Sequence, residues 1–114
     1  MSAPVQPVLF DRAHFAVMTG EDRALQLEVV GLFRQQAEAM AGLLAADAPA
    51  AVWRPAAHKL KGSARAIGLW RLAQACLDAE EAGAEAGETL AAVRAALAEA
   101  LEALSAHGFP AKAA

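Results

Sequence analysis

In each long stretch of the chain, apolar residues return every three or four positions, and the stretches are separated by Gly, Pro and Asp. That spacing lines one face of a helix. Leu25, Val29, Leu32, Phe33, Met40 and Leu43 set the pattern in one stretch, and Trp53, Leu60, Ala64 and Ile67 set it in the next. Leu69, Leu72, Ala73, Cys76 and Leu77 form a third stripe, and Leu90, Val93, Leu97, Leu101 and Leu104 a fourth. Residue usage agrees: 33 alanines and 14 leucines stand against seven valines, one isoleucine and two threonines, so helix formers dominate and strand formers are scarce. At 114 residues there is length for one domain with a four-helix core and none for a separate catalytic domain. The expectation is all-α: an antiparallel up-down four-helix bundle with a short additional N-terminal helix.

Capping chemistry places the boundaries. Asp11 is positioned to cap a first helix, with Phe10 and Phe15 at the N′ and N4 positions of a hydrophobic staple, and Thr19-Gly20 closes it. Thr19, with Asp22 three residues later, resembles the start of the next helix, expected over 21–46. Asp47-Ala48-Pro49 breaks that helix, and Pro49 suits the first turn of a third. Pro55 falls inside the third helix, where a missing amide donor is expected to bend it or make it restart. Gly68 ends it; a fourth helix covers 69–83, a Gly/Ala-rich loop 83–88, and a last helix 89–105. One domain spans 1–114, with 1–9 and 108–114 as loose tails.

One segment carries more than packing requires. Residues 57–68 read Ala-His-Lys-Leu-Lys-Gly-Ser-Ala-Arg-Ala-Ile-Gly. At about 100° per residue, Trp53, Leu60, Ala64 and Ile67 share one arc while His58 points away from it, toward solvent. Lys61, Gly62 and Arg65 follow at i+3, i+4 and i+7, which puts a histidine, two cations and a gap in the side-chain wall on one exposed stripe. Glycine costs about 1 kcal/mol against alanine inside a helix, so Gly62 points to a partner backbone approaching His58. In a hairpin turning at Gly68, His58 lies ten residues before the turn and Glu80 twelve after it, level to within about one turn. Glu80 continues the apolar stripe that begins at Leu69, where a carboxylate needs a partner or water.

His58, Leu60, Lys61, Gly62 and Ser63, followed by Gly68-Leu69, resemble the motif of the histidine-containing phosphotransfer (HPt) domains of two-component phosphorelays. The likeness continues through Leu72, Ala73, Cys76 and Glu80. It implies a phosphohistidine at His58, with Glu80 at the 22-residue separation where the family places a Gln or Glu against the ring. A carboxylate accepting from Nδ1–H fixes the tautomer and leaves Nε2 as the nucleophile. Lys61 is then expected to offset charge on the phosphoryl oxygens, and Gly62, Arg54, Arg65 and Ser63 to meet the partner. Ser63 either donates near the site or bonds back to a helix carbonyl. The implied partners are receiver domains of response regulators and hybrid histidine kinases, with Mg²⁺ held by the receiver and no cofactor on this chain. The sequence has no glycine-rich phosphate loop, so a relay is expected and not an ATP-dependent kinase. The alternative is a helical-bundle adaptor that keeps the shape without the chemistry.

Charge narrows the setting. The net charge is −3, yet residues 48–77 contain no Asp or Glu while Arg54, Lys59, Lys61, Arg65 and Arg71 supply five of the ten basic residues. A small basic patch with little aromatic interleaving, on a chain of pI about 5.5, suits an acidic protein pocket better than nucleic acid. No uncharged apolar run approaches the ~18 residues of a membrane span, and residues 1–7 do not read as a signal peptide. A cytoplasmic monomer without a membrane anchor is expected, with kinase-like dimerisation as the open alternative. Cys76 stands alone at an apolar position and reads as a buried thiol. His14, His58 and His107 lack ligand spacing, so no metal site is expected.

Overall fold

The computed structural model describes residues 7–45, 47–82 and 87–111. They form five helices: α1 (Arg12–Thr19), α2 (Arg23–Ala41), α3 (Ala50–Ile67), α4 (Trp70–Ala82) and α5 (Gly87–Ala106). Helix α3 packs on α2 and α4, α4 packs on α5, α5 returns to α2, and α1 lies against α3. Only Gly68 and Leu69 separate α3 from α4, so the two run as antiparallel neighbours. The described residues contain no strand, and none of their helices is long and apolar enough to cross a membrane. This is the expected all-α bundle.

The core mixes large and small side chains. Trp53, Leu60, Ile67, Leu72, Leu90 and Leu104 are buried, and alanines at 37, 57, 64, 79 and 100 are fully enclosed between helices. Buried alanines let helix axes approach closely, which suits a chain so rich in them. Cys76 belongs to this core, and burial pushes its thiol up to about 12, the inert form expected.

The turn at Gly68 joins three elements. Gly68 adopts φ +82°, in the left-handed region, and the Leu69 amide bonds back to the Ala64 carbonyl at 2.8 Å. The amide of Asp11 donates to the Gly68 carbonyl at 2.8 Å, Asp11 Oδ1 caps the His14 amide at 3.0 Å, and Asp11 Oδ2 accepts from Trp70 Nε1 at 3.0 Å. These hydrogen bonds, that from Trp70 foremost, hold the Asp11 carboxyl below its ordinary range. The expected staple is present, with the Phe10 and Phe15 rings 5.7 Å apart.

Several boundaries and faces differ from expectation. Thr19 does not cap the second helix: its hydroxyl donates to the Phe15 carbonyl, closing α1, and Asp22 caps α2 by accepting from the Leu25 amide at 3.1 Å. Helix α2 ends at Ala41 and not near Ala46, which itself lies outside the described residues. Of the expected stripe, Phe33 is buried and Val29 and Met40 pack against the core, with Val30 and Ala37 completing the buried face, while Leu25 and Leu32, and Leu43 beyond the helix end, are 39, 59 and 41 % exposed. Polar partners account for that rotation. Arg34 reaches the Ser105 hydroxyl and the Phe109 carbonyl, at 3.0 and 2.7 Å, and Gln36 accepts from Ser63 on α3 at 2.5 Å. Turning the leucines inward would break these bonds.

Pro49 is the N-cap of α3 and not its first helical residue, and Pro55 neither splits nor restarts the helix. Its ring is exposed while Trp53, Ala56 and Ala57 on either side are buried, so packing holds the turn together. Helix α5 begins at Gly87, two residues earlier than expected, and residues 83–86 of the anticipated loop lie outside the described part. The segments expected to be loose are tied down where they are described. Phe109 is buried edge-on against Phe15, with ring centroids 5.5 Å apart, and the carbonyls of Pro7 and Val8 accept from Arg71.

Gly68 yields a sharp test. A β-carbon there would sit 2.8 Å from the Asp11 carbonyl oxygen, in a backbone conformation L residues avoid. Gly68→Ala is expected to lower unfolding free energy in urea by about 2 kcal/mol or more. A loss below ~0.5 kcal/mol would show that the turn does not need glycine.

Candidate functional site

His58 stands on the exposed face of α3, with 70 % of its side chain accessible. Its Nδ1 lies 3.1 Å from Glu80 Oε2 on α4, so the hairpin brings the two residues level as their spacing predicts. Glu80 is only 18 % exposed, and its other oxygen is 2.7 Å from Lys61 Nζ. Partial burial pushes the Glu80 carboxyl up, but the hydrogen bonds from Lys61 and His58, with their charges, more than offset this and leave it below its ordinary value. Glu80 is therefore a carboxylate, which can only accept. The Nδ1 of a neutral His58 must then carry the proton, and Nε2 keeps a lone pair.

Lys61 departs from expectation. It is buried at 8 % and does not lie on the exposed stripe; its stem runs into the helix interface and its ammonium ends on Glu80. Gly62 is open as expected: a β-carbon there would meet nothing within 4 Å. Arg54 and Arg65 are exposed on α3. Ser63 does neither of the things anticipated, since its hydroxyl donates to Gln36 and so ties α3 to α2. Arg71 also leaves the basic patch, pairing with Glu99 at 3.1 Å and donating to the Pro7 carbonyl. The patch beside His58 thus reduces to Arg54, Lys59 and Arg65.

Two features were not anticipated. A shallow groove beside the imidazole is lined by Ala50, Ala51, Arg54, Pro55, His58 and Glu80. Its residues on α3 stand at i−3, i−4, i−7 and i−8 from the histidine, a spacing that could have revealed it. Gln36 is the partner of Ser63, a pairing across 27 residues that helical spacing does not show. A larger apolar cleft, about 860 Å³, lies between α2, α5 and the segment at Phe109, and contains none of the candidate site residues. His14 packs on Trp70, with centroids 4.9 Å apart, and His107 on Phe10 at 5.5 Å, so both serve packing.

An exposed histidine held through Nδ1 by an ionised carboxylate is built to present Nε2 to an electrophile. The Hpt domain family model matches residues 28–107. The chain belongs to the Hpt domain family. Its structure is similar to the crystal structure of the histidine phosphotransferase ShpA from Caulobacter crescentus, with a TM-score of 0.74 and 36 % sequence identity, over 88 % of this chain and 90 % of that one. Among curated proteins no match is found. Membership in the Hpt family places the chain in phosphotransfer within two-component signalling.

The Glu80 pair makes a pH prediction. A carboxyl held below its ordinary value of 4.5 contributes stability that is fully present above that value and is lost as pH falls through the lowered one. The stability difference between wild type and Glu80→Gln is therefore expected to shift against the wild type as pH falls below ~5. Urea melts at stepped pH measure this. A difference independent of pH down to ~3 would mean that Glu80 is not held ionised by its partners.

Proposed function

We propose that this Hpt protein relays a phosphoryl group through a phosphohistidine on Nε2 of His58, between receiver-domain aspartates or from a histidine kinase to a response regulator. The Nδ1–Glu80 contact at 3.1 Å is the observation that supports this reading most directly. In accepting, Nε2 attacks the phosphorus of an aspartyl phosphate, the P–O bond breaks, and the aspartate leaves as carboxylate with the bonding electrons. The ring becomes a phosphoimidazolium whose Nδ1–H faces Glu80, so the new positive charge forms beside a fixed negative one. In delivering, the P–N bond breaks toward an attacking aspartate and the ring returns to the neutral tautomer it started from.

The neighbours have separate tasks. Glu80 orients the ring, and Lys61 is a positioning residue that keeps Glu80 ionised and in place. Gly62 leaves room for the partner's backbone, and Arg54, Lys59 and Arg65 steer an acidic pocket toward the histidine. The Mg²⁺ that transfer requires is assigned to the receiver. The protein itself is a carrier in this reading and makes no phosphohistidine from ATP.

Incubation with a phosphorylated receiver is expected to place one acid-labile, base-stable phosphoryl group on the wild type and none on His58→Ala. Labelling that survives His58→Ala sinks the assignment. Receiver binding without labelling of the wild type would make the chain an adaptor.

Gly62→Gln separates docking from folding. With open space at that position and glycine the poorer helix former, the variant is expected to unfold at an equal or slightly higher temperature, by under about 1 kcal/mol, while transfer falls at least tenfold. Wild-type transfer in Gly62→Gln would place the partner elsewhere.

A further inference from the structure

On the reading that His58 is phosphorylated, we propose that Arg54 is the cation that meets the phosphoryl oxygens, and that Lys61 acts only through Glu80. Lys61 Nζ is 2.7 Å from Glu80 Oε1, and its side chain is only 10 % exposed. To reach a phosphoryl group on an exposed ring it would have to leave a partly buried carboxylate without its closest cation, which carries a large penalty. Arg54 has no such commitment. It is exposed and forms no ion pair among the described residues.

Position supports the assignment. Arg54 stands at i−4 from His58, and both line the same groove, with Glu80 beyond them. Helical side chains lean toward the helix N-terminus, so the His58 ring covers the turn that begins at Arg54 and leans away from the turn carrying Lys61 and Gly62. The rest of the groove on α3 is Ala50, Ala51 and Pro55, whose short side chains leave space for a phosphoryl group. The Arg54 guanidinium lies over the Trp53 ring, 5.2 Å from its centroid, a contact that limits the wandering of a long exposed side chain. A guanidinium offers a fork of donors that matches two phosphoryl oxygens.

The test uses the full chain phosphorylated with phosphoramidate, so that no partner protein enters, and follows the phosphohistidine by ³¹P NMR across pH. A cation touching the phosphoryl oxygens favours their dianion. Arg54→Gln is expected to move the phosphoryl group's last ionisation to higher pH by about half a unit, the scale of one exposed ion pair. Arg54→Lys should recover most of that shift, and Lys61→Gln should leave the ionisation within ~0.2 of wild type. An unchanged profile in Arg54→Gln, or an equal or larger displacement in Lys61→Gln, overturns the proposal. If the wild-type signal persists in His58→Ala, the assignment of His58 itself fails, which is a different result from a correctly placed phosphoryl group that ignores Arg54.

Discussion

The left-handed turn at Gly68 sets the register of α3 against α4, and the site exists only in that register. A slip of one residue on either helix would rotate it by about 100° and shift it by ~1.5 Å, enough to swing Glu80 off Nδ1. The turn is held from outside the hairpin. Asp11 bonds the Gly68 carbonyl through its amide and Trp70 through its carboxylate, so one residue grips both sides of the bend. Helix α1 contributes no atom to the site, yet its cap fixes the geometry on which the site depends.

Within that frame, a single carboxylate is shared between two donors, one on each oxygen. Glu80 continues an apolar stripe, next to a fully buried Cys76, where an unpaired carboxyl would tend to protonate. Lys61 prevents this from the same side as the histidine, at i+3 on α3. A protonated Glu80 could donate as well as accept and would no longer dictate which ring nitrogen holds the proton. Lys61 thus contacts the carboxylate and not the ring.

Much of this was legible in the sequence, and the exceptions share a cause. The stripes of α3, α4 and α5 were readable because tryptophan, leucine and alanine occupy them without polar competitors, and Gly68 and Glu80 followed from those stripes. The leucines of α2 stand at core spacing, yet Arg34 and Gln36 bind partners 75 and 27 residues away, at Phe109 and Ser63, and so fix the rotation of the helix. Periodicity puts Lys61 on the surface because it locates an α-carbon and not the end of a long side chain. The residues around Phe109 give no sign of its ring partner, Phe15, which lies on the first helix. Local spacing carries no information about such distant polar and aromatic partners, and these decided each case.

The exposed part of the site has almost no share in packing. His58, Gly62, Arg54 and Arg65 face solvent, while Lys61 and Glu80 beneath them are tied between helices. Room is provided on both sides of the imidazole along α3, by Gly62 one turn toward the C-terminus and by Ala51 and Pro55 toward the N-terminus. Pro55 adds a constraint that alanine would not, because it has no amide to offer the Ala51 carbonyl four residues earlier. The helix remains continuous without that bond, since Trp53, Ala56 and Ala57 anchor the same turn in the core. The wall beside His58 is therefore low, short of one internal hydrogen bond, and edged by Arg54. A partner that inserts a phosphorylated loop there meets open space and a cation before it meets the bundle.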